Sequence, residues 1–453
     1  MMLSPKYLPA QLVETGGRNQ ELAPLDGESP DSPERKKMTD ESLRNILRFG
    51  RAQGFNFAQL PQIRLGWPTM KASGTGDLNI GQLAYYVDHN PLFPGQVLDW
   101  NCGMRTYDQP NGYNHRGTDI VSFPFPWTRM DRNDVDVVAS AAGTIVYRAD
   151  GNFDRNCGAP GQPVNTVHVL HDDGSVAIYL HLKNGSVTRK GVGDKVEKGE
   201  YLGVPGSSGV SNIPHVHLEL YDSNGNLQDP YNGACNGMNS FSWWENQEPY
   251  RNSQLNGLMT LASVPSFPSC PNSEILDEKM IFEPSDQFVT LVTIRDLLAG
   301  QQLNFSITRP DGSLFSQWTL VNPSTANAAT RWARWNLGPE PQEGTWTYRV
   351  EYLGKTHERP FFVGEPGNVQ LRGRVVDLEG NGIPGELVIL RDSNADIVRY
   401  ARTTAFGNYF VPSIPAGHFY EVEIVSQRYA YNARRIAVLE AMSGIDFKSI
   451  GPK

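Results

Sequence analysis

The sequence predicts an all-β, multidomain chain, and three observations lead to this fold class. Its 453 residues leave room for about three domains. Short runs that are apolar or alternate in polarity recur between turns rich in glycine and proline, as from Gly143 to Tyr147 and from Thr166 to His171. No long amphipathic helical pattern interrupts these runs. We therefore expect antiparallel sheets, with polar side chains of functional interest at strand ends and in adjoining loops.

The N-terminal part is predicted to lie outside the main sheets. Residues 1–36 are rich in Pro, Glu, Asp, Ser and Gly, which is typical of a flexible leader. Thr39 or Asp40 is expected to cap a short helix that stops at Gly50. The pattern from Phe55 to Gln96 is irregular and aromatic. Residues 37–95 are therefore predicted to be an extension that packs on or near the next domain.

Residues 96–270 are predicted to form the first β domain. The runs that predict its strands are Val135 to Ala139, Gly143 to Tyr147, Thr166 to His171, Ala177 to His181 and Tyr201 to Val204. Asp172-Asp173-Gly174 is a hairpin-turn signal between two of them. The proline-rich stretch from Pro265 to Pro271 then predicts a linker.

Two further β-sandwiches are expected after this linker. Residues 271–365 carry regular short strand-like runs with turn punctuation, which predicts an immunoglobulin-like sandwich. Residues 366–453 contain glycines where turns between strands need them, as in Asp377 to Gly380 and Thr403 to Phe410. This last segment resembles the carboxypeptidase-regulatory, transthyretin-like sandwich. The last segment contains no catalytic constellation of its own.

Composition excludes several classes of function. The net charge of -9 argues against nucleic acid as a partner. No apolar run approaches the ~18 residues needed to span a bilayer, and Met1 to Lys6 lack the apolar core of a secretory signal peptide. The four cysteines share no CxxC spacing, which makes a cysteine-based zinc site improbable. In an exported protein they would form two disulfides, whose pairing the sequence does not define.

Two distant stretches offer ligands for a divalent metal. His115 and Asp119 lie in Asn114 to Asp119, and His215 and His217 lie about a hundred positions later in an apolar strand. Because strand residues two apart leave the same face, both rings should point the same way. Catalytic zinc takes three nitrogen or oxygen ligands and leaves a fourth position to water. His115, Asp119 and one of the His215/His217 pair would supply that set.

A plainer explanation for His-x-His on a strand is a pair of hydrogen-bonded histidines without a metal. Two further residues argue against this metal-free explanation. His181 ends another apolar strand, and Gly117 stands between the first two candidate ligands, where the backbone must approach closely. His168 and His171 fall on opposite faces of their strand and are expected to be structural.

Over about residues 101–236 the chain resembles the lysostaphin/LytM-type zinc endopeptidases. The matching motifs are His115-x-Gly117-x-Asp119, Tyr179-x-His181, Gly193-Asp194-Lys195-Val196 with Lys198-Gly199, Gly206-x-Ser208-Gly209, Pro214-His215-Val216-His217-Leu218-Glu219 and Asp229-Pro230. The resemblance implies that His115, Asp119 and His217 bind Zn²⁺ and that His181 and His215 are catalytic. None of these five positions departs from the family pattern.

The resemblance also implies a function and a location. We expect a zinc-dependent endopeptidase that cuts peptidoglycan cross-bridges or glycine-rich peptides, secreted or in the cell envelope. The two C-terminal sandwiches would dock substrate, envelope or another protein. The alternative is a non-catalytic surface-binding or activator protein that uses the same fold for recognition.

The N-terminal extension raises one more hypothesis, because relatives of this family can be held latent by a segment that covers the metal. Asp88, His89 and Asn90 are the candidate plugs. The competing interpretation is a plain packing extension. Latency predicts higher activity after the first ~95 residues are trimmed.

Overall fold

The structure is a computed structural model that describes residues 12–20, 33–52, 62–72, 75, 78–365, 367–392 and 398–452. These residues form 2 helices and 27 strands. Three large hydrophobic cores lie one after another along most of the chain. The prediction of an all-β, multidomain protein is therefore confirmed. No helix among the described residues is long and apolar enough to cross a membrane.

The first β domain contains two sheets. Its elements, with those that precede it, are β1 (Leu12–Gln20), α1 (Pro33–Ala52), β2 (Thr69–Lys71), β3 (Gln82–Tyr85), β4 (Thr118–Val121), α2 (Pro126–Arg132), β5 (Val135–Val138), β6 (Gly143–Ala149), β7 (Thr166–Leu170), β8 (Val176–Leu180), β9 (Lys195–Val196), β10 (Tyr201–Gly203), β11 (His215–Tyr221) and β12 (Leu227–Gln228). The main sheet has the order β3-β4-β11-β8-β7-β6-β9, with β12 beside β11, and the smaller sheet has the order β10-β5-β2. The predicted strands and the turn between β7 and β8 are present.

Strand β11 presents chemically different side chains on the two faces of the main sheet. Val216, Leu218 and Leu220 are buried in the core together with residues of the smaller sheet. Since side chains alternate along a strand, His217 and Glu219 leave from the opposite face. The apolar side chains on one face of β11 thus anchor the strand in the core, and the polar side chains lie together on the other face.

Two β-sandwiches follow the first domain. Their strands are β13 (Gln254–Leu261), β14 (Ile281–Phe282), β15 (Gln287–Leu297), β16 (Gln302–Thr308), β17 (Leu314–Val321), β18 (Ala326–Asn336), β19 (Gly344–Tyr352), β20 (Lys355–Val363), β21 (Asn368–Val376), β22 (Leu387–Asp392), β23 (Val398–Arg402), β24 (Asn408–Pro415), β25 (His418–Val425), β26 (Arg434–Val438) and β27 (Phe447–Lys448). Sheets β1-β18-β15-β13 and β14-β20-β19-β16-β17 form the first sandwich. Sheets β24-β21-β27 and β23-β22-β25-β26 form the second.

The predicted boundary at residue 271 is too late. Strand β13 pairs with β15 of the middle sandwich, so residues 254–261 belong to that sandwich and not to the first domain. The stretch from Pro265 to Pro271 connects β13 to the rest of its own sandwich and is tied to the first domain by the disulfide Cys157–Cys270. A second disulfide, Cys102–Cys235, lies within the first domain. Proline content marked a connection here, but not a domain border.

The prediction of a flexible leader is wrong for residues 12–20. They form β1, which pairs antiparallel with β18 and covers its edge. An uncovered edge strand would leave its backbone donors and acceptors without sheet partners, which explains the pairing. Gly16 and Gly17 allow it, because a Cβ at either position would collide with Trp332 or Arg331. Composition could not reveal a partner strand more than 300 positions away.

The N-terminal helix is longer than predicted and packs on the polar face of the main sheet. It begins at Pro33, so Thr39 and Asp40 lie inside it and do not cap it. Met38 is buried, and Ile46 and Phe49 pack beside it on residues of the main sheet. Strands β2 and β3 complete the smaller and the main sheet respectively. Strands β2 and β3 are therefore part of the domain itself, and trimming the first ~95 residues would remove them.

Candidate metal centre

Three of the predicted side chains lie within ligand distance of one another. The Nε2 atom of His115 lies 3.1 Å from an Asp119 carboxylate oxygen and 3.3 Å from Nδ1 of His217. The same His217 atom lies 2.8 Å from the other Asp119 oxygen. One ligand atom from each residue falls within 4.8 Å of the others. The structure thus brings together residues that are about a hundred positions apart.

Strand pairing produces this convergence. Asp119 on β4 stands directly opposite His217 on β11, and directly opposite residues of an antiparallel pair have Cβ atoms about 4.5–5.5 Å apart. His115 lies just before β4, where its backbone N–H donates to the Tyr107 carbonyl at 3.0 Å. The Tyr107 ring stacks on the His115 ring at 4.3 Å between centroids. His115 is therefore held by backbone and ring contacts beside the two strand-borne ligands.

Gly117 has the close-approach role that the sequence predicts. A Cβ at this position would lie 2.5 Å from Nε2 and 2.8 Å from Cε1 of His217. Both distances are far shorter than an ordinary van der Waals contact of about 3.5–4.0 Å. Any side chain here would push the His217 ring away from Asp119.

Hydrogen bonds to acceptor groups determine which nitrogen of each ligand histidine carries the proton. Nδ1–H of His115 donates to the Tyr86 carbonyl at 2.5 Å, and Nε2–H of His217 donates to Glu219 at 3.3 Å. A carbonyl and a carboxylate can only accept. The remaining nitrogens, Nε2 of His115 and Nδ1 of His217, face Asp119 and would offer their lone pairs to a metal ion bound among the three side chains.

His181 and His215 lie beside this group. Their ring centroids are 4.7 Å apart, and Nε2 of His215 is 3.6 Å from Asp119. Nδ1–H of His181 donates to the Ser208 carbonyl and Nδ1–H of His215 to the Ile213 carbonyl, each at 2.8 Å. These hydrogen bonds orient both rings and, in the neutral form of each, place the proton on Nδ1.

The backbone at His181 takes a conformation that is uncommon for a residue with a side chain. Strand β8 ends at Leu180, and His181 has a φ of 62°. Asn165 supports this turn, because its carbonyl accepts from Leu182 N–H at 3.0 Å and its amide donates to the Leu182 carbonyl at 3.1 Å. Asn165 thus holds the turn that carries His181.

Burial and charge act in opposite directions on Asp119. Burial alone would raise the pKa of its carboxyl, but the charges of His115 and His215 and hydrogen bonds from His115 and His217 outweigh it. The pKa of Asp119 is consequently held well below its usual range. None of the five side chains is more than 3% exposed.

The donor set fits a small tetrahedral metal ion. With metal–ligand distances of about 2.0–2.1 Å, neighbouring donors in a tetrahedral shell lie about 3.3 Å apart. The separations among the three groups here run from 2.8 to 3.3 Å. Two neutral imidazoles and one carboxylate are ligands that zinc accepts. His115, Asp119 and His217 are thus a possible His/Asp metal site.

Comparison with known proteins agrees with this geometry. Residues 114–230 match the model of the family described as Peptidase family M23. This span is a peptidase family M23 domain. All five candidate residues fall within it, whereas Tyr86 and Tyr107, which hold His115, precede it.

Several similar proteins each match only part of this chain. Endolysin 2638A of Staphylococcus phage 2638A is 32% identical over 150 residues, which are 30% of this chain and 26% of the endolysin. Cell division protein DipM of Caulobacter vibrioides is 30% identical over 105 residues, 23% of this chain and 17% of DipM. The catalytic domain of lysostaphin from Staphylococcus simulans is 27% identical with a TM-score of 0.21, covering 28% of this chain and 83% of that domain. The chain thus spans about a quarter or less of the curated relatives.

Potential metal ligands form two groups among the described residues, His115 with Asp119 and His217, and His181 with His215 and His217. His168, His171 and the suspected plug residues Asp88 and His89 belong to neither group. His168 contacts the Ser42 hydroxyl at 3.1 Å, and burial followed by the charge of Arg35 lowers its pKa to about 3. Nδ1–H of His171 donates to the Ala142 carbonyl at 2.8 Å. These contacts agree with structural roles.

Neither Asp88 nor His89 belongs to a group of potential metal-ligating side chains among the described residues, and latency stays a prediction. His89 pairs with Asp229 at 2.9 Å, and Asp88 accepts from the backbone N–H groups of Asn90 and Leu98 at 3.0 Å. Both residues thus make polar contacts within the first domain, in the same segment as Tyr86. This segment belongs to the domain, because it contributes a strand to the main sheet.

Sequence reasoning missed the residues that orient the ligands. Glu219 is one of them, and strand alternation, which can be read from the sequence, places it on the same face as His217. Arg35 pairs with Glu219 across 184 positions of sequence, and no local pattern could indicate that. Tyr86 acts through its backbone carbonyl, which every residue type possesses.

Proposed function

We propose that this protein is a zinc-dependent endopeptidase, with His115, Asp119 and His217 holding the metal. The observation that carries the proposal is the convergence of their three lone-pair donors next to two further oriented imidazoles. Two additional histidines, each oriented by an Nδ1–H hydrogen bond to a backbone carbonyl, support a catalytic site over a purely structural cluster. An M23 domain that contains the whole set supports the same conclusion.

Zinc, when bound, lowers the pKa of water and polarises the scissile carbonyl. His215 acts as the general base, because donation of Nδ1–H to the Ile213 carbonyl leaves a lone pair on Nε2. His181 in its protonated form donates Nε2–H to the oxyanion that develops on the carbonyl oxygen. The water oxygen bonds to the carbonyl carbon, the C–N bond breaks, and the proton held by His215 passes to the leaving amine.

The two catalytic roles can be exchanged between these histidines. Both rings donate Nδ1–H to a backbone carbonyl at 2.8 Å, so both present the same nitrogen. One of them must be neutral to act as the base, and the other protonated to act as the stabiliser. Separate pH profiles of the two single variants will assign them.

The proposed substrate is the peptide part of peptidoglycan or another glycine-rich peptide. Similarity to an endolysin and to a cell division protein supports this class over an unrelated peptide. The two disulfides support a secreted or envelope location. We further propose that the two C-terminal sandwiches, immunoglobulin-like and transthyretin-like, dock substrate, envelope or another protein.

Metal analysis combined with digestion of purified peptidoglycan tests the proposal. The wild type is expected to contain about one zinc per chain and to release peptide fragments identifiable by mass spectrometry. His215→Ala should keep the metal and lose at least about 100-fold in rate, because general base catalysis contributes that much or more. His357→Ala, which changes a histidine of the middle sandwich, is the control and should behave as wild type.

Other outcomes would contradict the proposal in different ways. A wild type that retains zinc but cleaves neither peptidoglycan nor glycine-rich peptides would favour the second candidate, a non-catalytic binding or activator protein. A wild type that binds no metal would refute the metal site itself. Cleavage by His215→Ala at the wild-type rate would remove the assigned base.

A further inference from the structure

We propose that Arg35 of helix α1 is a positioning residue for the metal centre. Its guanidinium compensates the charge of Glu219 and so holds this carboxylate in place against the ligand His217. The inference rests on the zinc site proposed above. In this proposal the N-terminal helix supports metal binding, whereas the latency hypothesis has the N-terminal extension block the metal.

A continuous set of polar contacts connects the helix to the ligand. Nε2–H of His217 donates to one oxygen of Glu219 at 3.3 Å. The other oxygen accepts from the Tyr221 hydroxyl at 2.6 Å and from Nη2 of Arg35. Arg35 also donates to the Tyr221 oxygen at 3.4 Å. Each element of this set restricts the next, from the helix to the imidazole ring.

Burial makes the positive charge necessary. The side chain of Glu219 is fully buried, and that of Arg35 is only 12% exposed. A buried carboxylate that loses its partner is left with a large desolvation penalty, so it draws in water or turns away. Arg116 is the other cation nearby, and its guanidinium contacts the Tyr221 hydroxyl at 3.1 Å. Arg35 is thus the guanidinium that donates to the carboxylate directly.

The helix is held where Arg35 can reach β11. Asn45 donates to the Val146 carbonyl of β6 at 2.8 Å, and Ser42 contacts His168 of β7 at 3.1 Å. Met38 is buried against the main sheet. These contacts run along the helix from its C-terminal half toward Arg35, so the helix crosses several strands on the metal-bearing face.

The consequence for His217 concerns which nitrogen binds metal. With Glu219 in place, Nε2 carries the proton and Nδ1 faces Asp119 and His115. Residues that hydrogen-bond to ligand histidines in this way typically change metal affinity by about 10–100-fold when they are removed. Because Arg35 lies outside residues 114–230, the M23 span alone lacks the direct counter-charge.

The experiment uses the full chain and zinc alone as the probe. Zinc affinity is measured by competition with a chromophoric chelator, and the visible spectrum of the Co²⁺ form reports ligand geometry. Arg35→Met is expected to weaken zinc binding about 10–100-fold and to alter the Co²⁺ spectrum. Arg35→Lys, which keeps the charge, should recover most of the affinity. Arg44→Met, at an exposed position of the same helix, should bind zinc as the wild type does.

A double-mutant cycle separates positioning from simple loss of structure. Once Glu219→Gln has removed the carboxylate charge, adding Arg35→Met should weaken zinc binding little further. Equal losses in both backgrounds, or an Arg35→Met protein with wild-type affinity and spectrum, would overturn the inference while leaving the proposed function intact. If Arg35→Met alone fails to fold, the double variant should fold, and its failure would also overturn the inference. A wild type without zinc affinity would reject both proposals together.

Discussion

Gly117→Ala is the substitution whose effect on the metal centre follows most directly from the geometry. The added methyl group would lie 2.5 Å from Nε2 of His217, where about 3.5 Å is an ordinary contact. The Leu218 carbonyl oxygen, 2.8 Å away, closes the space on another side. The overlap of about 1 Å with His217 has to be relieved by moving the ring or the backbone.

The size of the effect follows from this overlap. The ring is held by Asp119 at 2.8 Å on one side and by Glu219 at 3.3 Å on the other. A displacement of about 1 Å breaks the shorter of these contacts and misplaces Nδ1 as a ligand. Misplacement on that scale costs about 100-fold in catalysis, and overpacking of a tight site costs about 1–3 kcal/mol of stability. We expect zinc affinity to fall about 10–100-fold, which is about 1.4–2.7 kcal/mol.

Chelator competition, with thermal unfolding of the metal-free protein in parallel, measures both effects. Gly237→Ala is the matched control, because a Cβ at that position in the same domain meets no atom within 4 Å. The control should leave zinc affinity and the melting temperature unchanged. If Gly117→Ala binds zinc as tightly as the wild type while the protein remains folded, the close approach of Gly117 to His217 is not a constraint on the site.

Two further predictions concern the contacts between domains. Burial raises the pKa of Asp136 to about 6 from an ordinary 3.8, only partly opposed by Arg434 of the C-terminal sandwich. Because the pKa of this carboxyl is higher in the folded than in the unfolded state, the group does not destabilise the fold below pH 4. The free energy of unfolding falls as pH rises through 6 and is about 3 kcal/mol lower at pH 7. Asp136→Asn should therefore raise the melting temperature at pH 7–8 and leave it unchanged near pH 4; an equal gain at both pH values would contradict this. Replacing Cys157 and Cys270 by Ser removes a link across 113 positions and should lower the free energy of unfolding by about 2–5 kcal/mol. Urea unfolding of the oxidised protein measures it, and a midpoint equal to that of the wild type would show that the link adds no stability.

Local patterns were enough to predict much of the candidate site. The two-residue spacing of His215 and His217 in an apolar run defines which face of β11 they share, because alternation is a property of every strand. Gly117 could be recognised as a close-approach position for the same kind of local reason. The apolar runs of the first domain predicted its strands to within one or two residues. These features depend only on neighbours along the chain.

Only the tertiary structure decided how distant segments meet. Composition placed residues 12–20 in a leader, but the free edge of β18 recruits them as a strand. A proline-rich stretch indicated a border that strand pairing between β13 and β15 moves earlier. Arg35 joins Glu219 because helix α1 is packed across the main sheet, with 184 positions of sequence between the two charges. Periodicity determines the face of a strand or helix on which a side chain lies. The residue that the side chain contacts there depends on which elements pack together. The energy of that packing comes from contacts between distant segments, so no single stretch of sequence determines it.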